Sequence, residues 1–142
     1  MIIGIGTDMA AITRIAETLS EHDRRFIERC FDPIEQAYVD GKYKDATARA
    51  GGYAKRWAAK EACAKALGQG IRDEIFLKDI VVTNDKAGKP ELILRGGAKD
   101  RLSQLTPDGH VAKLSVSLSD DGNMALAFVV ITAEKKEGEN RL

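Results

Sequence analysis

The chain has 142 residues, 44% of them hydrophobic, and its 22 Lys plus Arg balance 22 Asp plus Glu. That length is one domain's worth and can bury a core. The balanced charge gives no global attraction to nucleic acid or membrane surfaces, so neither is expected as a partner.

No apolar run approaches the roughly 20 residues that a membrane span needs. The opening MIIGIGTDMA has neither the basic leading region nor the long apolar stretch of a secretory signal, which points to the cytoplasm. Cys30 and Cys63 lack zinc-like spacing and read as small buried hydrophobes of a reducing compartment.

In chain order, MIIGIGTD predicts a strand from Ile2 to about Gly6. In AAITRIAETLS, residues Ile12, Ile15, Ala16 and Leu19 recur at helical spacing, and EHDRRFIERCF repeats the pattern with Phe26, Ile27, Cys30 and Phe31. Asp32 followed by Pro33 reads as the N-cap and first position of a further helix, ending at Gly41. The longest helical segment, DATARAGGYAKRWAAKEACAKALGQG, is alanine-rich and stops at Gly68. Within it, Gly51 and Gly52 mark either a kink or close packing against a neighbour.

The second half changes character. DIVVTND and PELILRG read as strands around a turn, and GAKDRLSQL as a short helix. HVAKLSVSLSD and MALAFVVIT pair as a hairpin around DDGN. Residues 134–142 form a polar, frayed tail after a single domain spanning 1–133. The expected class is α+β: a strand and helices, then a three- or four-stranded antiparallel run with one helix inserted.

The segment KRWAAKEACAKALGQG carries the chemistry. Glu61 and Lys65 are four apart and share a helix face, with Arg56 and Lys60 nearby. An ordinary surface ion pair accounts for the spacing. A carboxylate, lysines and a glycine loop also suit a phosphate group and its metal. Magnesium takes one or two carboxylates and keeps waters or phosphate oxygens, so Glu61 is one candidate ligand and Asp8 the other. Asp8 reads equally as a helix cap ahead of MAAI.

GIGTDMAAITRI at 4–15, WAAKEACAKALGQGI at 57–71 and GKPELIL at 88–94 together resemble the holo-acyl-carrier-protein synthases, small 4′-phosphopantetheinyl transferases. Phe31 and Glu35 fall at matching spacing, and LSVSLSDDGNMALAFVV resembles the family's last hairpin. The resemblance, over roughly residues 2–131, implies the family's fold with one long central helix.

It implies transfer of 4′-phosphopantetheine from coenzyme A to a serine of apo acyl carrier protein. The other product is adenosine 3′,5′-bisphosphate, and the reaction supports fatty acid biosynthesis. It further implies Asp8 and Glu61 as Mg²⁺ ligands, Lys65 as a catalytic phosphate contact, and Arg56 and Lys60 as further contacts to coenzyme A phosphates. Gly68 and Gly70 match the loop over the nucleotide, and the implied assembly is a homotrimer with sites at subunit interfaces. The acceptor of the serine proton is Glu61 or a metal-bound water.

Many family members carry a histidine in an S-x-S-H stretch of this hairpin. Here the stretch is SVSLSDD, with Leu118 read at that place, while Ser117, Ser119 and Asp120 stay candidates for ligand contact. His110 lies eight residues earlier and reads as structural or exposed. Carrier proteins are acidic, so Arg14, Arg24 and Arg25, with Arg29 beyond, are the expected docking patch, and Met9 and Phe26 its apolar contacts. The alternative reading is a noncatalytic coenzyme A-binding module of the same fold. A transferase acting on carrier domains of large synthases is disfavoured by the short single-domain length.

Overall fold

In the computed structural model, residues 1–70 and 75–138 are described. Strand β1 (Ile2–Ala11) leads into α1 (Ile12–Cys30), α2 (Pro33–Lys42) and α3 (Ala46–Ala66). A hairpin of β2 (Ile80–Asn84) and β3 (Pro90–Leu94) follows, then α4 (Gly96–Leu105) and the long hairpin β4 (His110–Asp121) and β5 (Met124–Lys135). Among the described residues no helix is long and apolar enough to cross a membrane.

β1 runs five residues beyond its expected end at Gly6. Pairing with β5 holds it extended, in antiparallel register from Gly4↔Ile131 through Asp8↔Ala127 to Ala11↔Met124. β4 pairs along the other edge of β5, giving the order β1-β5-β4. The expected single antiparallel run is in fact two sheets, because among the described residues β2 and β3 pair only with each other.

The two amphipathic segments after β1 form one helix, bent at His22, whose φ of −138° and ψ of 34° leave the helical region. Ahead of α2, the Asp32 carboxylate accepts from Ile34 N–H at 3.0 Å and the Glu35 carboxylate accepts from Asp32 N–H at 3.0 Å, a reciprocal cap. α2 extends one residue past Gly41. β5 reaches Lys135, two residues into the expected polar tail; residues 139–142 of that tail, and Ile71 of the quoted helix motif, lie outside the described residues.

α3 is the core of the molecule. Ala54, Ala58, Ala59, Ala62 and Cys63 are fully buried, and β5 turns Ala125, Ala127, Val129 and Ile131 inward to meet it. Small side chains on the helix let it lie close to the sheet, and each fully buried Val or Ile contributes about 1.5–3 kcal/mol. The helix runs unbroken through Gly51 and Gly52. A Cβ on Gly52 would sit 2.8 Å from the Tyr43 ring and 2.9 Å from Val39, so close packing rather than a kink explains Gly52, whereas one on Gly51 would meet only Ile12 at 3.9 Å. Gly68, at φ +84°, ends the helix as expected.

Candidate active site

Alternation along β1 turns Gly4, Gly6, Asp8 and Ala10 to one side of the strand. That side meets α3 at backbone contact. A Cβ on Gly6 would overlap the Ala62 carbonyl and lie 2.7 Å from Ala66 N, and one on Gly4 would overlap the Ala66 carbonyl. With the strand pressed against the helix there, Asp8 projects beside the face that carries Glu61 and Lys65. Asp8 lies well inside β1. The N-cap position of α1 is Ala11, and Asn123 of the β4–β5 turn accepts from Ile12 N–H (2.8 Å) and Thr13 N–H (2.9 Å) instead. Helix capping is therefore not the role of Asp8.

Lys65 Nζ donates to Asp8 Oδ1 at 2.8 Å and to the Thr7 carbonyl at 3.1 Å. Among the described residues its ion pair is with Asp8, not with Glu61 as the surface-pair reading required. The bond to Asp8, and then its charge, raise the Lys65 pKa. Burial raises the Glu61 pKa, and the Asp8 charge raises it further, while Lys65 opposes both. Two carboxylates and the Lys65 ammonium thus share one small region.

Lys60, expected to contact a coenzyme A phosphate, does something else. Its side chain is fully buried, and its ammonium donates to Glu35 Oε1 at 2.7 Å, to the Leu77 carbonyl at 2.9 Å and to the Ile80 carbonyl. Glu35 also accepts from Val82 N–H at 3.2 Å. Burial pushes the Glu35 carboxyl up and the Lys60 ammonium down. One step along a helix is 100°, so Lys60 faces inward when Glu61 faces the cleft.

Arg56 is 2% exposed and opens onto a cavity of about 360 Å³. Its Nη2 donates to Asn84 Oδ1 at 2.7 Å and its Nη1 to the Gly52 carbonyl at 3.3 Å, while its buried Nε has no partner among the described residues. Burial lowers its pKa. Lys42, Lys55 and Lys89 complete a cationic wall. Of these, Lys55 opens the KRWAAKEACAKALGQG segment and Lys89 lies in GKPELIL, whereas Lys42 lies in neither and joins them through folding alone.

Leu118 and Ser117 line the same cavity. The S-x-S pattern recurs at Ser117–Ser119, so Asp120 also fits its fourth place, and the Asp120 carboxylate lies 3.9 Å from Lys55 Nζ. Ser119 is exposed. His110 is half-buried, its Nδ1 2.9 Å from the Asp108 carbonyl. Gly68 and Gly70 both hold positive φ, which only glycine adopts without strain.

A second concavity, about 620 Å³, has an apolar floor of Phe26, Trp57, Phe76 and Leu77 and a rim that includes Arg25 and Arg29. Arg14 and Arg24 are exposed on α1 outside its lining, and Arg24 faces Glu28 at 3.8 Å. Met9 is exposed on the opposite face of β1 from Asp8.

Residues 4–128 match the sequence profile of the 4′-phosphopantetheinyl transferase superfamily. A holo-[acyl-carrier-protein] synthase of Methylobacterium radiotolerans is 53% identical over 133 residues, covering 94% of this chain and 95% of that relative. One from Gluconobacter oxydans is 52% identical over 131 residues, covering 92% and 82%. Among solved structures, the holo-acyl-carrier-protein synthase of Plasmodium yoelii superposes with a TM-score of 0.77 at 32% identity, covering 96% of this chain and 98% of that one. The Helicobacter pylori synthase in complex with coenzyme A superposes with a TM-score of 0.74 at 30% identity, covering 90% and 99%. With its α+β architecture and the Asp8–Lys65–Glu61 cluster, the chain belongs to the 4′-phosphopantetheinyl transferase superfamily, among its holo-[acyl-carrier-protein] synthases.

Proposed function

We propose that this chain transfers the 4′-phosphopantetheine arm of coenzyme A to a serine of apo acyl carrier protein, releasing adenosine 3′,5′-bisphosphate and supplying fatty acid biosynthesis in the cytoplasm. The observation that carries the reading is the convergence of Asp8, Glu61 and Lys65 where β1 meets α3.

The donor set fits magnesium. Asp8 and Glu61 are hard oxygen donors; burial, and then the Asp8 charge, raise the Glu61 pKa. Among the described residues no third protein carboxylate or imidazole joins them, which leaves room for phosphate oxygens and water. Asp8 and Glu61 would hold the ion. Bound there, it supplies Lewis-acid neutralisation of charge on the diphosphate oxygens.

The serine hydroxyl, losing its proton to Glu61 or to a water, attacks the phosphorus that bears the pantetheine arm, and the bond from that phosphorus to the oxygen of the adenosine-bearing phosphate breaks. Lys65, on a flexible stem beside Asp8, adds a positive charge to the oxygens where negative charge grows. The Gly68–Gly70 backbone lets a nucleotide approach closely. The cationic cavity around Arg56, whose buried Nε has no partner among the described residues, suits another phosphate of coenzyme A.

Arg56 and Glu61 are five positions apart, about 140° around α3. One protomer's cationic cavity and carboxylates therefore face different ways, which favours a site shared between two protomers of a homotrimer. The outward face of the three-stranded sheet exposes Ile5, Met9, Leu126 and Phe128, an apolar surface suited to such an assembly. Arg14, Arg24 and Arg25 on α1 receive the acidic carrier protein, with Phe26 as an apolar anchor.

The test is direct. The protein is mixed with apo acyl carrier protein, coenzyme A and Mg²⁺, and the carrier is weighed by mass spectrometry. A gain of one phosphopantetheine mass is expected. No gain would overturn the reading in favour of a noncatalytic coenzyme A-binding module.

A further inference from the structure

Directly after the bend at His22, the side chain of Asp23 is held by a residue of another helix. Arg49, on the first turn of α3, donates from Nη1 to Asp23 Oδ1 at 2.6 Å, with Nη2 3.5 Å from Oδ2. The same guanidinium donates from Nε to Asp40 Oδ1 of α2 at 2.8 Å. Tyr53 is fully buried and donates its hydroxyl to the same Asp40 oxygen at 3.0 Å, and its ring lies 5.3 Å beneath the guanidinium carbon. One arginine thus ties three helices, and a fully buried tyrosine backs it.

An isolated surface pair would be worth little. This one is two-pronged toward Asp23, shares its cation with a second carboxylate, and is stacked on a ring. Those features hold a guanidinium in one geometry. The hydrogen bonds to Asp23 and Asp40 raise the Arg49 pKa, and burial opposes them.

The position of the clamp gives it a consequence. α1 contains no proline or glycine to explain its bend. Its first half is seated by Ile15 and Leu19 and by the Asn123 contacts at its start. Its second half contributes Arg25, Phe26, Arg29 and Cys30 to the 620 Å³ groove, opposite Trp57, Phe76 and Leu77. The direction in which this half leaves the bend determines the width of the groove and the aim of its arginines.

We propose that Arg49, through Asp23, is a positioning residue for carrier docking: it holds the second half of α1 at the angle that presents Arg25, Phe26 and Arg29 to the acidic partner. This rests on the reading of α1 as the docking helix. Arg49 itself need not touch the carrier, and neither residue belongs to the Asp8–Glu61–Lys65 cluster.

The test measures steady-state transfer with each substrate varied in turn, for the wild type, Asp23→Asn, Arg49→Met and Arg49→Lys. Asp23→Asn and Arg49→Met should raise KM for apo acyl carrier protein by roughly three- to tenfold, toward the lower end of the coupling found within one ion-pair network. KM for coenzyme A and kcat should stay within about twofold. Arg49→Lys, which keeps the charge but not the fork, should recover part of the loss. Asp23→Asn leaves the Asp40–Arg49–Tyr53 contacts in place, so it serves if Arg49→Met fails to fold.

Amide hydrogen exchange without substrates provides an independent arm: residues 23–30 should exchange faster in Asp23→Asn, while α3 keeps its protection. This arm reads the clamp even if no transferase activity is found. An unchanged KM for the carrier, a proportional rise in KM for coenzyme A, or unchanged exchange in 23–30 would each overturn the proposal.

Discussion

Gly6 of β1 lies directly against the Ala62 carbonyl of α3, with no room for a single methyl between them. That contact sets how near Asp8 comes to Glu61, because Asp8 stands two residues after Gly6 on the strand and Glu61 one residue before Ala62 on the helix. Gly6→Ala should force strand and helix apart. Thermal unfolding should show a loss of about 1–3 kcal/mol, typical of overpacking against an unyielding backbone. Transfer activity should fall further than the folded fraction does. Gly41→Ala is the control: nothing lies within 4 Å of its Cβ position in α2, so it should stabilise the protein by about 0.5–1 kcal/mol. Equal melting temperatures for Gly6→Ala and wild type would show that the contact is not tight.

The carboxylate pair predicts a shared metal dependence. Asp8→Ala and Glu61→Ala should each cut the rate at least 100-fold, the scale of losing an electrostatic centre for developing charge. Glu61→Gln should do the same with little change in volume. Isothermal titration of Mg²⁺ in the presence of coenzyme A should lose its heat in each variant. Normal turnover by either variant at limiting Mg²⁺ would remove that residue from the metal site.

The sequence made the arrangement of the candidate site legible at α3 and β1 because a helix places positions 61 and 65 on one face and a strand places 4, 6 and 8 on one side. Periodicity alone carries that information. It was silent on which way Lys60 points within a motif of mixed charge, since the direction depends on Glu35 and on the carbonyls of residues 77 and 80, all far away in sequence. The end of β1 was misplaced for a similar reason. TDMAA has weak strand propensity, and only pairing with β5, some 120 residues later, keeps it extended. The Arg56 cavity is assembled from α2, α3, the β2–β3 turn and β4, so no local pattern could announce it.

Lys60 now has a different expected phenotype. Removing one partner of a buried ion pair leaves the other charge uncompensated, at about 3–5 kcal/mol. Lys60→Met should therefore lower the melting temperature steeply. If the variant is assayed at a temperature where it stays folded, KM for coenzyme A should change little. A variant of normal stability with a raised KM for coenzyme A would restore Lys60 to the substrate site.

Carrier docking should depend on salt and on particular arginines. Arg25 and Phe26 share the 620 Å³ groove, whereas Arg14 stands alone farther up α1. Arg14→Ala and Arg25→Ala should each raise KM for acyl carrier protein, with the larger effect at low ionic strength, where screening is weakest. Initial rates across a salt series, with coenzyme A saturating, measure this. An equal rise in KM for coenzyme A would indicate a folding defect instead.

Asp32 supplies the pH prediction. Burial alone would raise its pKa, but the Ile34 N–H and Arg95, whose Nη1 lies 2.7 Å from Oδ2, together hold the carboxyl below its ordinary value. The folded state therefore binds fewer protons than the unfolded chain in the window between the two values. The stabilisation is complete above the unfolded value of about 3.9 and is lost as pH falls through the lower, folded one. Asp32→Asn keeps an acceptor for the helix cap but loses the charge. Arg95 is about half exposed, so solvent screening keeps the difference near 1 kcal/mol or below. Melting curves of both proteins from pH 7 down to about pH 2.5 should show the wild type ahead at neutral pH and the gap closing below about pH 4. A gap that is constant with pH would mean that the charge on Asp32 contributes nothing, and that its value to α2 lies in the cap alone.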